Sequence, residues 1–173
     1  MGTMILQSER VFLRPITRAD AKQIVFWRNQ PHVSCQMLAS RGPTLEEHLG
    51  WYKGYLESGN RKEFCVCLNN NSEAIGTIGL SHIDYVNKDA EYGVMIGLME
   101  HLGKGYAQEA SYLIIQYGFE VLNLQRIWLE VLLDNRPAIN LYQRLGFERE
   151  IVLENAVFKD GVYKDVLVMA IKP

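Results

Sequence analysis

Between residues 99 and 122 the apolar positions Ala107, Ala110, Leu113, Ile114, Tyr117 and Val121 fall three or four residues apart, with one adjacent pair. That spacing traces one face of a helix. Two further segments have helical spacing. "RADAKQIVFWRNQP" (18–31) is closed by Pro31, and "PTLEEHLGWYKGYLES" (43–58) opens on Pro43 and the capping pattern Thr44-x-x-Glu47. A fourth helix is predicted over "NRPAINLYQRLGF" (135–147). There Asn135 can cap the first turn, Pro137 lies within it, and Gly146 suits the position after the last.

Shorter apolar stretches read as strands: "RVFLRPI" (10–16), "KEFCVCL" (62–68), "AIGTIGLSHI" (74–83), "AEYGVMIGL" (90–98) and "RIWLEVLL" (126–133). From Phe147 onward the chain reads as a hairpin turning at Asp160-Gly161. The order β-α-α-β-β-β-α-β-α-β-β predicts an α/β fold with a mixed sheet, antiparallel in the middle and parallel where helices intervene.

Length and composition narrow the class. The 173 residues suit a single domain, 1–173, with one large core. Apolar residues make up 48% and charged residues 22%, the balance of an ordinary globular protein, and the formal net charge is −2. Basic residues are scattered, which argues against a nucleic-acid partner. No apolar run is long enough to span a membrane and no leader pattern opens the chain, so the expected location is cytoplasmic. Cys35, Cys65 and Cys67 form no CxxC or Cys/His cluster, and Cys65 and Cys67 share one face of a strand. Core packing is expected of that pair, with no disulfide and no metal.

Two motifs carry chemistry. Gly103-Lys104-Gly105 sits between a predicted strand and a predicted helix. The first N–H groups of a helix lack internal partners and carry partial positive charge, and glycines let a ligand approach the backbone. Together with Lys104 this is either a cradle for a phosphate or pyrophosphate or an ordinary turn. The spacing fits neither a P-loop nor a dinucleotide fingerprint. The second motif places Tyr142 two helical turns after Asn135, on roughly the same face.

With both motifs in order, on successive β-α units, the chain resembles the GCN5-related N-acetyltransferase (GNAT) superfamily over essentially its whole length. "LGKGYA" (102–107) is similar to the acetyl-CoA signature Q/R-x-x-G-x-G/A, with Leu102 in place of the usual Gln or Arg. "NxxAxxLYxxxGF" (Asn135, Ala138, Leu141, Tyr142, Gly146, Phe147) matches its second half. The resemblance implies a mixed, mostly antiparallel sheet of about seven strands with about four helices, splayed between its fourth and fifth strands. It also implies acetyl-CoA as cosubstrate and no metal. Backbone amides of Leu102, Gly103, Lys104, Gly105, Tyr106 and Ala107 would hold the pyrophosphate. Pantetheine would pair along Met95, Ile96 and Gly97 like an added strand, and Asn135 would contact its arm. Tyr142 would stand near the thioester sulfur as the acid that protonates the leaving thiolate. Glu91 would lie where some members place a catalytic carboxylate, with His48 and His82 as weaker candidates for the base. Direct attack in a ternary complex needs no covalent intermediate, so the lack of a Ser-His-Asp set is no objection.

For the acceptor amine, the loop "QPHVSCQMLASRGPT" (30–44) contains no acidic residue but has His32 and Arg41. An anionic or neutral acceptor suits it better than a polyamine. Two branches of the superfamily are similar in detail. One is the Rim-type enzymes that acetylate protein N-termini, on "RVFLRPIT" and "GKGYAQEA". The other is the amino-sugar-nucleotide N-acetyltransferases of the pseudaminic acid pathway, on "FWRNQPHV", "EEHLGWYKGYLES" and "GVYKDVLVMAI". The second resemblance is preferred. It implies Trp51 against a base or sugar, Arg28 or Arg41 on a phosphate, and His48 in the acceptor site. Sheet edges in this fold often pair between subunits, which implies a homodimer by analogy.

Overall fold

The computed structural model describes residues 5–173. One eight-stranded sheet runs through it in the order β1-β2-β3-β4-β5-β6-β8-β7. The strands are β1 (Leu6–Gln7), β2 (Val11–Pro15), β3 (Lys62–Leu68), β4 (Ala74–Asp84), β5 (Asp89–Ile96), β6 (Arg126–Leu132), β7 (Glu148–Lys159) and β8 (Val162–Ile171). Five helices accompany them: α1 (Ala21–Arg28), α2 (Pro31–Ser34), α3 (Leu45–Ser58), α4 (Tyr106–Glu120) and α5 (Arg136–Leu145). All neighbouring strands are antiparallel except β5 and β6, which are parallel. The expected mixed sheet is therefore present, with one more strand and one more helix than the sequence suggested.

Those additions have local causes. The segment 18–31 is not one helix: a 3₁₀ turn (Arg18–Asp20) leads into α1, which stops at Arg28. Pro31 then opens α2, because a proline at the first helical position has no N–H to waste. Both helices read from caps behave as expected. Thr44 and Glu47 exchange the reciprocal bonds of a capping box, and Asn135 Oδ1 accepts from the Ala138 amide at 3.3 Å. The hairpin turns at Asp160 and Gly161, both with positive φ.

Apolar side chains fill both faces of the sheet. Phe64, Val66 and Leu68 of β3 join Ala110, Ile114 and Tyr117 of α4 in one cluster. Cys65 and Cys67 face the other way, into a second cluster with Ile24 and Trp27 of α1, against which Trp51, Tyr52 and Tyr55 of α3 pack. Val121 departs from the predicted stripe. It follows the last turn of α4 and is 59% exposed.

The feature that positions the site is a parting of strands. β5 pairs with β6 only at Asp89–Arg126, Ala90–Ile127 and Glu91–Trp128, although both strands continue for several residues. β6 follows β8 over six residues, as far as Leu132–Val166, while β5 stays with β4 to Ile96. A gap therefore opens beyond Glu91.

Candidate active site

A cleft of ≈ 910 Å³ enters this gap from both faces of the sheet. On the α4 side it is lined by the glycine turn and α5, and on the other side by α1, α2 and α3.

The register decides which backbone groups point into the gap. The Gly97 amide donates to Ile75 O at 2.8 Å, so Gly97 and, by alternation, Met95 and Gly93 face β4. Lys88 O accepts from the Arg126 amide, so the even-numbered residues of β5 face β6. Beyond the last pair, the N–H and C=O groups of Val94 and Ile96 therefore point into the gap without a strand to meet them. Of the expected run Met95-Ile96-Gly97, only Ile96 offers its backbone there. Val94, two residues earlier, is the second such position. Met95 lines the cleft, but Gly97 does not. A Cβ on Gly97 would collide with the indole of Trp27, so this glycine serves close packing.

The glycine turn has the geometry of a cradle. Gly103 and Gly105 have φ of 70° and 81°, and Gly105 caps α4, whose first backward bond runs from the Glu109 amide to Gly105 O. The amides from Gly105 to Gln108 have no helical turn behind them to bond to, whereas the Leu102 amide, expected in the cradle, is already donated to Met99 O at 3.0 Å. Gly103, Gly105, Tyr106 and Ala107 line the cleft together with Leu102, which is 45% exposed. Lys104 does not line it. Its carbonyl accepts from Arg10 Nη1 at 2.8 Å, and Arg10 is held in turn by Glu109 at 2.7 Å. Arg10 and Glu109 brace the turn from outside. These residues fit a pyrophosphate: two turns that a Cβ would strain, and unpaired amides at the start of a fifteen-residue helix.

Asn135 and Tyr142 both line the cleft from α5. The cap uses the oxygen of Asn135, which leaves its amide N–H₂ as a donor. Tyr142 packs edge-on against Tyr92 and Phe147, with centroids 5.8 and 6.0 Å away. Burial pushes its hydroxyl up to about 12, so it keeps its proton at neutral pH.

Across the sheet, Glu63, Gly79 and Gly93 align over three strands. A Cβ on Gly79 would collide with Glu63 Oε2, so the carboxylate lies in the space that the glycine leaves, while the face over Gly93 is open. Glu91, at the last β5–β6 pair, bonds His82 Nδ1 through Oε2 at 2.7 Å. Glu130 reaches the same cleft from β6, and burial and the neighbouring Glu91 raise its pKa. The absence of acidic residues from 30–44 therefore misdescribes this compartment, whose carboxylates come from the sheet floor. Periodicity does place Glu63 on the Cys65 face of its strand, but nothing in the sequence says which face borders a cavity.

The opposing wall is cationic. Arg28 lines the cleft partly buried, with no hydrogen bond or ion pair among the described residues, and burial lowers its pKa. His48 is 3% exposed; its Nε2 has no partner, and burial followed by the Arg28 charge lowers its pKa. His32 Nε2 is likewise buried without a partner. Trp51 lines the cleft, but its ring already stacks on Tyr55 at 5.6 Å and 5° and carries Arg61 at 5.8 Å. It therefore supplies a wall and not a free stacking face. Arg41 points elsewhere: it is 63% exposed, and Glu47 of the capping box holds its guanidinium at 2.6 and 2.9 Å.

Burial pushes the Glu63 carboxyl up to about 7, against the pull of Arg61 and Arg28. Its folded pKa lies above the usual 4.5, so the unfolded chain releases the proton first as pH rises. The contribution of Glu63 to stability is then full below about pH 4.5, falls between there and about 7, and stays low above, a span of about 3 kcal/mol. Glu63→Gln should flatten that part of the profile. Calorimetric Tm at several pH values checks this, and parallel curves for the two proteins would refute it.

A family model for the acetyltransferase (GNAT) domain matches residues 10–148. The chain belongs to the GNAT family. It is an acetyl-CoA-dependent N-acetyltransferase. It is 31% identical over 161 residues to a spermidine N(1)-acetyltransferase of Escherichia coli (strain K12), covering 93% of this chain and 85% of that protein. The corresponding protein of Vibrio cholerae serotype O1 is 29% identical over 159 residues, covering 92% and 91%. In structure the chain is similar to spermidine N-acetyltransferase from Vibrio cholerae in complex with CoA and spermine. The TM-score is 0.88 at 29% identity, covering 94% of this chain and 95% of that one. Among the described residues no helix is long and apolar enough to cross a membrane.

Proposed function

We propose that this GNAT enzyme acetylates a primary amine on a small molecule that also carries an anionic group, an amino-sugar nucleotide being the acceptor that fits best. The observation that carries this reading is Arg28: a partly buried guanidinium in the acceptor compartment that makes no hydrogen bond or ion pair among the described residues, feels the Glu63 carboxyl only through space, and stands beside the orphaned Nε2 of His48. A phosphate oxygen would satisfy both, whereas a polyamine would place more positive charge against Arg28.

Chemistry proceeds at the splay. The acceptor enters as an ammonium drawn to Glu91 and Glu130. Glu91, oriented by His82, takes the proton directly or through water and frees the nitrogen lone pair. The amine attacks the thioester carbonyl, whose oxygen develops charge beside the unpaired backbone of β5. Collapse expels the CoA thiolate, Tyr142 donates its proton to that sulfur, and the remaining extra proton on the attacking nitrogen leaves through water and restores the tyrosine. The cradle of Gly103 to Ala107 and the Asn135 amide hold the rest of the cosubstrate.

A second reading has its own support. Glu63, Glu91 and Glu130 give the cleft three carboxylates, and the relatives named above are spermidine acetyltransferases. A Rim-type peptide N-terminus is the third class. Free-thiol release from acetyl-CoA separates them. A UDP-4-amino sugar should give a higher kcat/KM than spermidine or an alanine-ended peptide, and the reverse order would overturn the proposal.

A further inference from the structure

The tip of the β7–β8 hairpin carries a lysine that acetyl transfer does not use. Lys159, the last residue of β7, is only 2% exposed. Its ammonium donates to three backbone carbonyls: Ser34 O at 2.7 Å, Met37 O at 2.7 Å and Ala39 O at 2.8 Å. Three donors meet three acceptors, so the buried charge is fully satisfied without a carboxylate.

The carbonyls belong to the end of α2 and the loop behind it. Turn bonds from the Gln36 and Met37 amides already reach Val33 O and Ser34 O, but among the described residues no backbone amide reaches Met37 O or Ala39 O, which Lys159 supplies. Gln36, Met37 and Leu38 of this same loop line the acceptor side of the cleft. The hairpin tip stands apart from the rest of the sheet: β8 pairs with β6 no farther than Val166, whereas Lys159 lies opposite Val162. A strand end far away in sequence thus fixes one wall of the acceptor compartment.

We propose that Lys159 is a positioning residue for the acceptor, setting the Gln36–Leu38 wall and through it which amines the enzyme accepts. This rests on the reading of that compartment as the acceptor side. Lys159→Met keeps the stem and removes the donors. It should raise KM for the amine roughly tenfold while KM for acetyl-CoA and kcat move less than about twofold. Lys159→Arg should act in the same direction, because a planar guanidinium cannot serve three convergent carbonyls. An unchanged amine KM, or an equal rise in both KM values, would overturn the clamp. If neither variant folds, amide hydrogen exchange of the native protein decides. Residues 35–39 should be protected and further slowed by the amine; exchange as fast as an open loop refutes the proposal. Arg28→Gln is the reference: an effect there with none at Lys159 refutes the clamp alone, and no effect at either refutes the acceptor reading as well.

Discussion

Tyr142→Phe is expected to lower kcat by about a hundredfold, at the low end of what a positioned acid contributes, and to leave KM for acetyl-CoA nearly unchanged. The substitution removes one oxygen and keeps the ring against Tyr92 and Phe147, so helix α5 should hold its place. A hydroxyl pushed up to about 12 holds its proton at every working pH, so no loss of activity from its ionisation should appear near neutrality. Departure of the thiolate should become slower. A mercaptan leaving group of lower pKa, built into an acetyl thioester analogue, should be less sensitive to the substitution. Full activity in Tyr142→Phe would remove the residue from the chemistry and leave it a packing role.

The second large effect is on stability. Gly97→Ala places a methyl group inside the indole of Trp27, a ring that is 1% exposed. A rigid buried ring cannot swing aside as the tip of a lysine can, so α1 or the end of β5 must move. Overpacking of this kind costs about 3 kcal/mol, at the upper end of its usual range. Urea unfolding should show a lower midpoint at an unchanged m value. A variant as stable as the parent but weaker for acetyl-CoA would return Gly97 to the cosubstrate site that the family resemblance implies for it.

The two halves of the cleft were unequally legible in the sequence. The elements proposed for the cosubstrate lie in contiguous motifs whose spacing is itself the signal: two glycines before an amphipathic helix, then a cap and a tyrosine on the next one. Even there, the sequence could not say which residues of β5 point their backbone into the gap. That depends on the bond between Gly97 and Ile75 across a strand pair, which turns the backbone of Met95 and Gly97 toward β4 and that of Val94 and Ile96 toward the gap. The half proposed for the acceptor is assembled from distant segments. Arg28 and His48 were visible as polar groups on helices, but Arg41 was not separable from them until its bond to Glu47 was seen. Glu63 and Glu130 arrive from β3 and β6, and Lys159 reaches the loop at 34–39 from the far end of the chain. Such contacts follow from strand order, which the alternation of apolar residues leaves open.

In the proposed function, the guanidinium of Arg28 reads an anionic group on the acceptor. The most direct test compares kcat/KM for a UDP-4-amino sugar and for the same amino sugar without its nucleotide, in the native enzyme and in Arg28→Gln. Removing the nucleotide should cost the native enzyme on the order of a hundredfold, and the variant at least tenfold less, since a charge-assisted bond contributes about 1.5–3 kcal/mol. The same loss in both proteins would contradict the account, as would spermidine outperforming both sugars in the native enzyme.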